Sequence, residues 1–188
     1  MASTQDFKNG LVIEYNNDLY MIVQFQHVKP GKGPAFVRTK LKNIKTGRVI
    51  DNTFTSGVKV NVARVERRPY QYLYKDDMGY YFMHMETYEQ IHVPESMIDN
   101  REFLLEGMGV EIVVHADTEN ILSVDVPQFV TMEITYSEPG LRGDTATNTL
   151  KQATLQNGEK VMVPLFVNTG DKIKVDIVNR TYVERIKS

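Results

Sequence analysis

Leu11-Val12-Ile13-Glu14-Tyr15-Asn16-Asn17-Asp18-Leu19-Tyr20-Met21-Ile22-Val23 contains two runs of β-branched and aromatic residues around a short polar break. Such runs fit a pleated, half-buried surface, and Asn-Asn-Asp supplies the turn of a hairpin. The second run continues to Val28 and meets a loop, Lys29-Pro30-Gly31-Lys32-Gly33-Pro34. Beyond it, Phe36-Val37-Arg38-Thr39-Lys40-Leu41-Lys42-Asn43-Ile44 alternates with period two, which places Arg38, Lys40 and Lys42 on one face. Lys45-Thr46-Gly47 reads as a further turn and Gly57 to Val65 as another strand. Residues 1–65 therefore form a β-barrel of SH3-like size.

The same pattern continues outward. In residues 66–127, strands are expected at Tyr70 to Tyr74, Tyr80 to Met85, Glu89 to Val93, Gly109 to Ala116 and Ile121 to Val126. Pro94 to Glu106 reads as helical, with Met97, Arg101, Leu104 and Leu105 near helical spacing and Gly107 as a stop. Five short strands and one short helix suit a barrel of OB type. In residues 128–188, strands are expected at Phe129 to Tyr136, Leu150 to Leu155, Val161 to Val167, Lys172 to Val178 and Tyr182 to Ile186, with turns at Pro139-Gly140, Asn157-Gly158 and Thr169-Gly170-Asp171. The expectation is an all-β chain of three small barrels. Barrels of this size are marginal alone, so they are expected to pack on one another.

Composition narrows the function. The 188 residues include no cysteine, which excludes disulfides, thiolate metal sites and cysteine nucleophiles. Met1 to Phe7 lacks the basic and apolar regions of a signal peptide, and no apolar run is long enough to span a membrane. A cytoplasmic location is expected. Net charge is −2, yet residues 1–65 carry ten Lys/Arg against four Asp/Glu, and residues 66–127 carry four against thirteen. From His27 to Arg48 there are seven Lys/Arg and no acid. Cations gathered at one end suit an anionic partner such as RNA phosphate; the acidic middle suits avoidance of one, or a basic neighbour.

Lys32 has a glycine on each side and a proline beyond each glycine. Glycines allow a narrow loop with positive φ, and prolines fix φ and remove slack. The expected result is a thin, stiff finger carrying a cation at its tip, with Phe36 at its base. A solvated hairpin turn accounts for the same residue types. The loop is not a nucleotide P-loop, because the Gly-x-x-x-x-Gly-Lys spacing is missing and no helix follows. A Schiff-base role for Lys32 needs a desolvated pocket, which a glycine-flanked tip does not offer. The four histidines show no metal-ligand spacing and there is no Gly-x-Ser-x-Gly elbow. No catalytic residue and no cofactor or metal site is expected. Tyr70, Tyr72, Tyr74, Tyr80 and Tyr81 raise a general RNA-binding OB protein as an alternative, although their acidic surroundings repel RNA.

Lys29 to Phe36 closely resembles the tip loop of the bacterial elongation factor P family. A second segment, Lys151-Gln152-Ala153, Gly158, Val161-Met162-Val163-Pro164-Leu165-Phe166-Val167 and Gly170, resembles that family's signature in its last domain. The resemblance covers nearly the whole chain. It implies a KOW-like (SH3-like) barrel followed by two OB barrels, with a tRNA-like outline. It implies a monomeric translation factor that binds the ribosome, both rRNA and ribosomal proteins, between the P and E sites, and promotes peptide bonds at consecutive prolines. Lys32 would meet the CCA end of the peptidyl-tRNA, shaped by Lys29, Pro30, Gly31, Gly33 and Pro34. Family members often carry a covalent extension on this lysine, β-lysyl in some bacteria and hypusine in the eukaryotic counterpart, which implies a lysine-modifying enzyme as a further partner. Gly143-Asp144-Thr145 and the pair Tyr182 and Arg185 match family positions near RNA, although Asn148 stands where the family pattern has glycine. A paralogue with a different ribosomal role is the alternative; the intact lysine loop argues against it.

Overall fold

The computed structural model describes residues 1–140 and 149–186. The chain divides into two compact units, residues 1–69 with 112–124, and residues 70–111 with 125–188.

The first unit begins with β1 (Ala2–Ser3) and a 3-10 turn at Thr4–Asp6, whose N-cap Ser3 and Asp6 form a capping box. β2 (Val12–Tyr15) and β3 (Asp18–Val28) are joined by Asn16 and Asn17 alone, with φ of 49° and 62°. Two positive-φ residues make the type I′ turn, whose twist matches that of the flanking strands. β4 (Phe36–Asn43) and β5 (Val49–Thr55) complete a sheet of order β2-β3-β4-β5, and β6 (Lys59–Val60) pairs with β1. Of the strand expected over 57–65, Lys59–Val60 pair with β1, Val62 makes one isolated bridge with Ile13, and Val65 opens the strand that follows. β5 was not foreseen, although its Phe54 packs edge-on against both Phe7 and Tyr15 at the centre of this core. A second cluster joins Val12, Leu19 and Ala63 to Val113 and Leu122. Arg68 reinforces this unit by gripping Glu119 with both terminal guanidinium nitrogens, at 2.6 and 3.0 Å.

The next sheet has the order β11-β10-β7-β8-β9, from β7 (Val65–Asp76), β8 (Gly79–His84), β9 (Gln90–Val93), β10 (Gly109–His115) and β11 (Asn120–Asp125). Tyr70, Tyr72, Tyr80 and Phe82 are buried on its inner side. The helix expected over 94–106 is absent. Two 3-10 turns stand there, Glu95–Met97 and Arg101–Phe103, separated by an extended Ile98 and a left-handed Asn100. The spacing of Met97, Arg101, Leu104 and Leu105 misled: the residues buried here are Ile98, Phe103 and Leu104, which a run of irregular turns carries inward without a helical face.

The last sheet has the order β14-β13-β12-β15-β16, from β12 (Phe129–Ser137), β13 (Leu150–Leu155), β14 (Lys160–Pro164), β15 (Lys172–Asp176) and β16 (Thr181–Arg185). β14 stops at Pro164, short of the expected Val167, and a turn closes with Val167 N donating to the Pro164 carbonyl. Its core contains Val130, Met132, Ile134, Leu155, Val163 and Ile173, and also Phe103 from the preceding segment. All-β architecture holds throughout: among the described residues the helical elements are the three 3-10 turns.

Candidate nucleic-acid interface

β3 and β4 pair up to Val28 opposite Phe36, and the tip loop spans the residues between them. Its base is held by Ser56 N, which donates to the Ala35 carbonyl at 2.9 Å. Lys29 to Pro34 are all exposed. Gly33 has φ of 101°, whereas Gly31 does not enter the positive-φ region, so only one of the two glycines uses the freedom expected of both. A Cβ at either position would meet nothing within 4 Å. The finger is therefore shaped by its own backbone and prolines, not by packing. Among the described residues, Lys32 has no hydrogen-bond or ion-pair partner, and its amine is free to engage an external group.

The strand face next to the loop has the expected polarity. Val37, Thr39, Leu41 and Asn43 are buried; Arg38, Lys40 and Lys42 are exposed. Cross-strand register sets Arg38 between Gln26 and Thr53, and Lys40 between Gln24 and Asp51. These six side chains line a shallow groove of about 370 Å³. Two cations, two amides and a hydroxyl face one carboxylate there, which suits a phosphate-rich ligand. The Arg38 guanidinium also lies 5.5 Å from the Phe36 ring centroid, which stiffens it against the finger's base. Sequence reasoning missed Gln24, Gln26, Asp51 and Thr53. The alternation of Ile50, Asn52 and Phe54 is the signal that marks β5, weakened by Asp51 and Asn52, which are poor strand formers.

In the other unit, Gly143, Asp144 and Thr145 lie outside the described residues. Tyr182 is half-buried against the last barrel's core. Arg185, on the same strand, pairs with Asp171 at 3.5 Å and lies 5.1 Å over the Phe166 ring. Its guanidinium is thus already oriented by two intramolecular partners. Among the described residues no group of three His, Asp or Glu side chains is arranged to hold a metal ion.

Three family models match the chain in order: the elongation factor P KOW-like domain over residues 3–60, the elongation factor P OB domain over 65–124, and the elongation factor P C-terminal domain over 130–185. The chain is 57% identical over 187 residues to Elongation factor P 1 of Porphyromonas gingivalis, covering 100% of both chains. It is 54% identical over 188 residues to Elongation factor P of Amoebophilus asiaticus, covering 100% of this chain and 99% of that one. Among solved structures it resembles the eukaryotic translation initiation factor 5A from Methanococcus jannaschii, with a TM-score of 0.53 and 25% identity, over 65% of this chain and 92% of that one.

Proposed function

We propose that this chain, which belongs to the elongation factor P family, binds the ribosome between the P and E sites and speeds peptide-bond formation at consecutive prolines. The observation that carries the reading is the Lys32 finger: exposed, shaped by prolines and one positive-φ glycine, without an internal partner for its amine, and standing at the end of a cationic strand. Proline is a secondary amine with a fixed φ, so it attacks slowly and constrains the nascent chain. A factor that holds the CCA end of the peptidyl-tRNA in its reactive position lowers the barrier by positioning alone. Lys32 supplies the tip contact, and Arg38, Lys40 and Lys42 hold phosphates behind it. Tyr182 and Arg185, with the Gly143-Asp144-Thr145 segment, supply RNA contacts from the last barrel. A covalent extension of Lys32 by a lysine-modifying enzyme adds reach and hydrogen-bonding groups to the same contact.

The test is a reconstituted translation system with two reporters, one containing a run of prolines and one without prolines. The protein raises the yield of the first and leaves the second almost unchanged, and Lys32→Ala removes most of the gain. Equal effects on both reporters, or full activity of Lys32→Ala, would overturn the reading.

A further inference from the structure

The outer side of the β7-β8-β9 sheet carries a row of aromatic rings that the barrel core does not use. Tyr74 stands opposite Tyr81, and Tyr81 opposite His92, so all three side chains leave the same face. The two tyrosine rings stack at 4.6 Å with an interplanar angle of 17°, and His92 follows at 5.3 Å. Tyr74 remains 45% exposed and Met78, at the tip of the adjoining turn, 71% exposed.

The row is held in place from beneath. Asp76 accepts from the Tyr81 phenol and pushes its pKa up. His92 Nε2 donates to the Met78 carbonyl. Gly79 has φ of 141°, and a Cβ there would lie 2.8 Å from His92 Nε2, so the ring crosses the turn only because the side chain is missing. A cross-strand aromatic pair stabilises a sheet without such bracing.

Its surroundings are acidic. Residues 70–95 hold one lysine and five carboxylates, and the Lys75 amine is drawn aside, 5.9 Å from the Tyr80 ring centroid. Asp76, Asp77 and Glu95 line a polar cleft of about 440 Å³ at the same turn. This charge repels RNA, so a base-stacking role does not fit the rings. It attracts cations, and a flat ring pair bordered by carboxylates matches the planar, forked guanidinium better than the point charge of an ammonium.

We propose that the Tyr74-Tyr81-His92 face is a docking surface for an arginine-bearing basic segment of a partner protein, with the guanidinium stacked on the tyrosines and paired with Asp76 and Asp77. Tyrosine and arginine are the side chains that most often dominate such contacts. The proposal does not depend on the tip loop's activity.

The experiment titrates the full-length, isotope-labelled chain with a nona-arginine peptide and, separately, with a nine-nucleotide uridine RNA, following backbone amide shifts by NMR. The peptide shifts amides within residues 73–95, and Tyr74→Leu with Tyr81→Leu weakens its binding on the order of tenfold although net charge is unaltered. Unchanged amide positions elsewhere in the double variant show that it is folded; Asp76→Asn with Asp77→Asn serves as the second variant and lowers affinity as well. Peptide shifts scattered over all the acidic residues, affinity retained in the leucine pair, no peptide binding at millimolar concentration, or RNA shifts on this face would each overturn the proposal.

Discussion

The side-chain amide of Asn157 donates to the backbone carbonyl of Glu102 at 2.8 Å, binding the turn before the last barrel to a loop within it. Arg180 strengthens the same seam. It pairs with Glu102 and, at 2.7 Å, with Glu159, and its guanidinium lies 5.5 Å from the Phe103 ring centroid. Phe103 itself is 1% exposed within the last barrel's core. Phe103→Ala is expected to cost about 3–5 kcal/mol, the range for truncating a buried aromatic. Urea unfolding monitored by circular dichroism measures it, and Phe103→Leu should lose clearly less.

At the tip, Gly31 and Gly33 separate by backbone and not by space. Gly33→Ala places a Cβ at φ of 101°, whereas Gly31→Ala meets neither strain nor neighbours. Gly31→Ala should melt with the parent protein, and Gly33→Ala somewhat below it. Gly33→Ala should lower the polyproline-reporter gain by about threefold or more, through misplacement of Lys32, and Gly31→Ala should keep it.

Gly79 allows no such tolerance. An added Cβ would stand 2.7 Å from the Val93 carbonyl oxygen, in a conformation that L residues rarely adopt. Gly79→Ala is expected to destabilise by about 1–3 kcal/mol, read as a drop in the urea midpoint with an unchanged slope.

Asp176 organises the turn that leads into β16. It accepts from the Asn179 amide and side chain, from Gln128 and from Val178 N, at 2.9 to 3.1 Å. The Asn179 bonds in particular hold its pKa below the ordinary value of 3.8. A carboxylate depressed by folding contributes stability that is complete above its unfolded pKa and lost as pH falls through its folded one. Asp176→Asn should therefore lower the melting temperature at neutral pH, with the gap to the parent closing below pH 3.8. Thermal scans of both proteins across that range check it.

Peptide mass spectrometry of protein from its native host should show a mass increase on the peptide containing Lys32. An unshifted peptide rules out a stable adduct there.

Much of the fold was legible because local signals agreed with the outcome. The Asn16-Asn17 break and the strict alternation from Phe36 to Asn43 gave the finger's scaffold and its cationic face directly. Legibility failed where burial was set by distant partners. Nothing local tells that Phe103 fills a core built mainly from residues 130–177, so the near-helical spacing of Met97, Arg101, Leu104 and Leu105 pointed to a helix that is not there. β5 was hidden because its outward residues serve the groove and are polar. Among the tyrosines, Tyr70 and Tyr72 face inward as alternation implies, but Tyr74, which the same alternation would put beside them, is turned outward by the β-bulge between Tyr72 and Tyr74; that bulge, and the bracing of Tyr81 and His92, depend on register across three strands, which one segment cannot reveal.

The emptiness around Gly31 and Gly33 has an evolutionary reading. A loop whose residues are all exposed and whose glycines border open space can change its tip residue, or receive a foreign chemical group, without taxing the fold that presents it. Folding and tip chemistry are then free to diverge independently, and the finger is an interchangeable cartridge, open to non-natural side chains or grafted sequences on an unaltered scaffold.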